Sequence, residues 1–194
     1  DGEYYIEYSV VRDQINKRFY WDSNENLLLY TLPEGNVTVE VGSSEYTDIT
    51  ENKSEDYVIL KTEGSTAYIA LPFIQQYTNM DYTVYDDNPA RVVVTSEWGE
   101  IQTAELRRDT EVRYQGGVKS PILTEVSKGD KVTVLEDEDD WMKVGTEDGF
   151  VGYVRTSSLR DITAETISRE FEEPVYTNIT KDYRRNEEPC KSVG

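Results

Sequence analysis

The sequence has no histidine and a single cysteine, Cys190. Without histidine the chain lacks the commonest general base and the commonest metal ligand. One cysteine allows neither an intrachain disulfide nor a cysteine-based zinc site. It also leaves no cysteine–histidine nucleophile, and no S-x-x-K occurs either. Absence of disulfides fits the cytosol, and it fits equally well export by bacteria that rarely use them. No apolar run approaches the ~18 residues that span a bilayer. Positive charge is scarce: 20 Lys and Arg stand against 39 Asp and Glu, a formal charge of −19. Residues 1–100 hold 19 acidic and 6 basic residues, a net −13. Such a surface repels phosphate backbones and anionic lipid, which argues against nucleic acid and membrane partners.

The chain does hold 15 tyrosines in 194 residues, an excess that favours β structure, and hydrophobic residues make up 37%. The most ordered pattern is Gly129 to Tyr153. Lys131 to Leu135 alternates, with Val132 and Val134 on one face, and reads as a strand. Glu136 to Asp140 is a five-residue acidic run that cannot be buried and is expected to be a loop. Trp141 to Val144 is a second short strand, and Phe150 to Val154 a third. Glu147-Asp148-Gly149 supplies the turn between them, since Asp-Gly reaches positive φ readily. Three short strands with tight turns predict a small barrel.

These residues resemble a bacterial SH3-like domain. Val112-Arg113, Ser120 to Leu123, Lys128-Gly129-Asp130, Trp141-x-Lys143-Val144, Asp148-Gly149 and Gly152-Tyr153-Val154 follow that family's order, closing at Leu159. The family more often has Trp where Tyr153 stands. The resemblance spans residues 104–159 and implies a five- to six-stranded barrel over residues 101–160.

Residues 1–97 contain an internal repeat. The first copy runs through Tyr5-Ile6, Ser9 to Ile15, Phe19 to Asp22 and Leu27 to Thr31; the second through Tyr68-Ile69, Leu71 to Tyr77, Tyr82 to Asp86 and Arg91 to Thr95. Each copy reads as strand, short helix and hairpin. Pro72 suits a first helical turn, and Phe73, Ile74 and Tyr77 share one helical face. Val37 to Val41 and Tyr57 to Thr62 are strand-like, with Glu51 to Asp56 as a polar loop. The repeat resembles the N-terminal domain of copper amine oxidases, a module found paired in secreted Gram-positive proteins. That resemblance implies no copper in this module.

The expected fold is therefore α+β and mostly β: a repeat domain over 1–98, the barrel over 101–160, and a linker over 161–194. Within that last stretch, Ala164 to Phe171 is expected to form a short helix or turn with Thr163 as its N-cap. The arrangement resembles the leading region of exported family-18 glycoside hydrolases, whose D-x-x-D-x-D-x-E motif is absent from this sequence. It implies a non-catalytic, cell-wall or polysaccharide-targeting region outside the cell, with peptidoglycan or another wall glycan or peptide as partner. It also implies a catalytic domain downstream. The alternative is a spacer or scaffold for that domain, with no ligand of its own. The start at Asp1 is compatible with a signal or anchor removed upstream.

The candidate ligand-binding residues are Tyr114, Trp141 and Tyr153, because aromatic rings near barrel loops stack on glycan or peptide faces. For Trp141 the expectation is that its ring supports the barrel more than it binds ligand, turning inward to fill one barrel end. In Phe19-Tyr20-Trp21, the outer two residues share a strand face opposite to Tyr20. Asp86-Asp87 and the Glu136–Asp140 run are the candidate paired carboxylates for glycosidase chemistry, and adjacent carboxylates at a hairpin tip are ordinarily a solvated turn. Asp137, Asp139 and Asp140 offer clustered oxygen ligands of the kind Ca²⁺ prefers, but their spacing does not follow the EF-hand loop. No catalytic residue, metal or cofactor is assigned.

Overall fold

The computed structural model describes residues 2–172. The expected linker from residue 173 onward and Cys190 lie outside the described residues. The chain is mostly β and, over the described residues, divides into two compact units, residues 2–79 with 170–172, and Met80–Arg169.

The first unit opens with β1 (Tyr5–Glu7), helix α1 (Tyr8–Val10) and a π-helical turn over Val11–Ile15. Five strands follow: β2 (Phe19–Asp22), β3 (Leu27–Leu32), β4 (Gly35–Glu40), β5 (Glu45–Asp48) and β6 (Glu51–Ser54). They form one antiparallel meander. β7 (Leu60–Glu63), β8 (Thr66–Ala70) and α2 (Leu71–Tyr77) complete the unit. The polar stretch expected as a loop from Glu51 is instead an edge strand. All four of its side chains stay exposed, so their polarity never conflicts with pairing to β5.

β1 pairs with β8 antiparallel, as Tyr5↔Ala70, Ile6↔Ile69 and Glu7↔Tyr68. The 63-residue offset of the sequence repeat carries Ile6↔Ile69 onto itself and exchanges Tyr5↔Ala70 with Tyr68↔Glu7, so the ladder is symmetric about Ile6 and Ile69. In α2, Leu71, Phe73, Ile74 and Tyr77 are buried, as the helical spacing requires, and Pro72 sits in the first turn. Phe19 and Tyr30 from β2 and β3 meet Phe73 and Tyr77 in a ring cluster. Phe19–Tyr30 is 4.6 Å and Tyr30–Tyr77 4.7 Å between centroids. Tyr46 joins edge-on to Phe73 at 5.2 Å. The polar tips are served locally. The Asn16 side-chain amide donates to Tyr30 Oη and Thr78 Oγ1, and Tyr30 Oη donates to the Tyr77 carbonyl. The tyrosine excess is thus partly core material, with hydroxyls paired at its margin.

The second unit starts with the hairpin β9 (Asp81–Tyr85) and β10 (Arg91–Thr95). Seven strands follow in one sheet: β11 (Gly99–Leu106), β12 (Thr110–Arg113), β13 (Ile122–Val126), β14 (Lys131–Glu138), β15 (Trp141–Thr146), β16 (Val151–Arg155) and β17 (Leu159–Ile167). The strand order is β13-β12-β16-β15-β14-β11-β17. The core is Ala104, Leu106, Val112, Val126, Val132, Met142, Val144, Val154 and Leu159, with Val134 packed against it.

Two expectations are corrected here. The acidic run is not a loop: Glu136, Asp137 and Glu138 continue β14 opposite Lys143, Met142 and Trp141, and only Asp139 and Asp140 turn. Their carboxylates remain in solvent, so a strand that overshoots the core buries no charge. Nor is there a helix after Thr163. That residue pairs with Thr103 in β17, which runs along β11 to Ile167. Thr and Ile in that segment fit a pleated edge better than a helix.

Candidate functional site

Strand alternation decides which side chains of the barrel are available. In β15, Met142, Val144 and Thr146 are buried, while Trp141, Lys143 and Gly145 face the other way. In β16, Gly152 and Val154 are buried, with Tyr153 between them and Arg155 exposed. Trp141 and Arg155 are register partners, and Lys143 pairs with Tyr153, which pairs in turn with Arg113. These residues therefore share the outer face.

Trp141 does not fill the barrel end. Its ring is partly buried in a groove of about 380 Å³. The groove is bounded by Arg108, Asp109 and Thr110 before and at the start of β12, by Glu111 and Arg113 within β12, and by Val118 in the following loop. Glu125, Arg155 and Ser158 close it with Trp141. The loop after β12 lies directly on the indole: a Cβ on Gly116 would stand 3.1 Å from Trp141 Cγ. The Arg155 guanidinium carbon is 4.9 Å from the indole centroid, a cation–π distance.

The walls are fixed by hydrogen bonds. Arg113 donates to the Ser120 carbonyl at 2.8 Å and is paired with Glu111 at 2.5 Å, which ties the loop to β12. Gln115 N donates to Ser120 Oγ, and Tyr114 N to the Pro121 carbonyl. Arg108 donates to the Ser157 carbonyl at 3.1 Å, and Asp109 accepts from Lys128 N at 2.8 Å. Below the indole, Thr156 N donates to the Asp140 carbonyl and Thr156 Oγ1 to that of Asp139, so the β14–β15 turn is anchored to the chain leaving β16.

Of the three aromatic residues singled out in the sequence, the groove includes Trp141 alone. Tyr114 is 61% exposed just beyond its rim, and Tyr153 lies in the adjoining register row beside Arg113. Sequence reasoning missed the charged walls. Three arginines (108, 113, 155) face three carboxylates (109, 111, 125), a balanced set on a chain of net −19. The one signal available was Arg155, two residues beyond Tyr153 and so on its face. Glu125 and Arg108 join only through strand pairing.

Residues 109–160 match the bacterial SH3 domain family. That stretch is a bacterial SH3 domain. Such domains are generally non-catalytic cell-wall-binding modules. No curated protein matches the chain. Among solved structures, NlpC2 and NlpC1 from Trichomonas vaginalis align at 14% identity with a TM-score of 0.29 each, over 74% of this chain and 43% and 41% of theirs. The chain thus spans less than half the length of either. Among the described residues, no group of acidic side chains is arranged to hold a metal ion, and no helix is long and apolar enough to cross a membrane.

Proposed function

We propose that this chain is a non-catalytic cell-wall-binding region whose ligand enters the Trp141 groove of the SH3 domain. The carrying observation is the outward placement of Trp141. A large ring kept off the core, braced by Gly116 and Arg155, contributes a flat recognition surface. Tyr114 and Tyr153 extend that surface along the rim. Peptidoglycan, through its glycan or its peptide, is the partner proposed. The groove holds opposed charges and an aromatic plane.

The wider context belongs to the same proposal. Residues 1–98 carry a repeat like that at the N-terminus of copper amine oxidases, its last hairpin belonging to the second compact unit. Residues 101–160 are the targeting barrel, whose last strand β17 extends to Ile167, and the chain after it is a linker to a downstream catalytic domain. The whole is the leading region of an exported family-18 glycoside hydrolase of a Gram-positive bacterium. The repeat and its strand–helix–hairpin order support the first part of this reading.

The test is co-sedimentation of the chain with purified peptidoglycan and, in parallel, with chitin. Saturable retention on peptidoglycan is expected. Recovery of all the protein in the supernatant of both would overturn the proposal.

A further inference from the structure

Most charged groups of the groove are already engaged. Arg113 is held by Glu111 and the Ser120 carbonyl, Arg108 by Ser157, and Asp109 by the Lys128 amide. Two are not. Among the described residues, Arg155 has only its stacking on Trp141, and Glu125 has neither an ion pair nor a side-chain hydrogen bond. Both are exposed and both line the groove. Glu125 also stands directly opposite Glu111 across β12 and β13, a like-charge pair that disfavours folding when left uncompensated. Arg113 compensates Glu111; nothing compensates Glu125.

From this we infer that the groove reads a short peptide bearing both a free carboxylate and a free amine, with Arg155 taking the carboxylate and Glu125 the ammonium. This rests on the cell-wall reading above and narrows its ligand from wall polymer in general to the peptide. A guanidinium stacked on an indole keeps its in-plane N–H donors directed outward, the geometry for a two-point bond to a carboxylate. Stacking also pre-orders the long side chain, which lowers the entropy lost on binding. Glu125 supplies the acceptor for an ammonium at the other side. β16 and β13 are separated by β12, so the two backbones lie roughly 10 Å apart. The two ligand charges must therefore sit on different parts of a peptide, and the amine and carboxylate of a free amino acid are too close together. A neutral glycan would leave both charges unanswered.

The experiment uses the full chain and three probes: N-acetyl-Ala-Lys-Ala as the free acid, its C-terminal amide, and the free acid with the lysine acetylated. Titration calorimetry is expected to show the free acid binding roughly tenfold or more tightly than either blocked form, the loss expected for one charge-assisted hydrogen bond. Arg155→Gln should erase the preference for acid over amide, and Glu125→Gln the preference for free over acetylated lysine. Both positions are exposed, so unchanged melting curves are expected for each variant. Equal binding of the three peptides, no binding of any, or an Arg155→Gln protein that still prefers the acid would each overturn the inference. Sedimentation with peptidoglycan separates it from the reading it rests on. Retention on the wall without peptide discrimination removes the inference alone. Peptide discrimination without retention removes the wall reading alone.

Discussion

At the scale of residues, Trp141 shows how one strand's phase decides between core and site. Met142 and Val144, two apart, already mark the buried face of β15, and Trp141 must then point away from them. Reading the acidic run as a loop hid this, because a ring at a strand's first position after a loop has no fixed side. Gly116 is legible only in three dimensions. An added methyl would press on the indole, so Gly116→Ala should weaken wall binding while the barrel stays folded, as checked by sedimentation and circular dichroism. Tyr46 carries a different consequence. Burial pushes its hydroxyl up to about 12, and the nearby Glu55 adds to this. Burial likewise raises Tyr57 and Tyr77. A folded value above the ordinary ~10 means that the unfolded chain releases the proton first. The stabilisation is then complete below pH ~10 and falls away as pH rises towards 12. Melting of a fragment of residues 1–79 measured from pH 8 to 12 should show a steep loss above pH 10, less steep in Tyr46→Phe. A flat profile would contradict this account of the ring cluster.

Among the elements, the hairpin of β9 and β10 is bound to the barrel by specific contacts. Tyr85 Oη donates to the Glu147 carbonyl and Arg91 Nε to that of Asp148, both at 2.8 Å. The Arg91 guanidinium lies 4.2 Å from the Phe150 centroid, and Nη1 donates to the Pro89 carbonyl. Gly149, at φ +94°, forms the turn beneath; a Cβ there would come within 2.4 Å of Val93 Cγ2. Sequence reasoning found the Asp-Gly turn from its backbone preference. It could not find the second reason for glycine, because Val93 is 56 residues away. Arg91→Ala removes backbone hydrogen bonds from a side chain that is only 10% exposed, so it should cost about 2 kcal/mol and speed amide exchange in Val92 and Val94. A fragment of residues 80–172 should melt as one cooperative unit, and one of 99–172 at a lower temperature. Equal melting temperatures would show that the hairpin adds nothing. The same limit explains β6 and β17. β6 is exposed along its whole length and β17 from Asp161 to Ala164, so those stretches carry no alternating pattern and their polarity reads as loop or helix until a partner strand is known.

For the molecule as a whole, the chain order of apolar alternation and Asp-Gly or Lys-Gly-Asp turns made the bacterial SH3 domain of residues 109–160 legible. The ring cluster of the first unit was partly legible, through the helical spacing of Phe73, Ile74 and Tyr77. The groove was not, because its charges come from three strands and the connection before β12, which only pairing brings together. It also departs from the chain's general character. A net charge of −19 keeps the surface hydrated and repels polyanions, while this one concavity balances three cations against three anions around an indole. Recognition should therefore weaken as ionic strength rises. The most direct test pairs two readings on Trp141→Ala: thermal melting, and co-sedimentation with purified peptidoglycan. A half-buried ring off the core should cost well under the ~3–5 kcal/mol of a core aromatic. The account predicts a melting curve close to that of the parent protein and wall retention reduced to background. A large drop in melting temperature, or wall retention that persists in a folded Trp141→Ala protein, would contradict it.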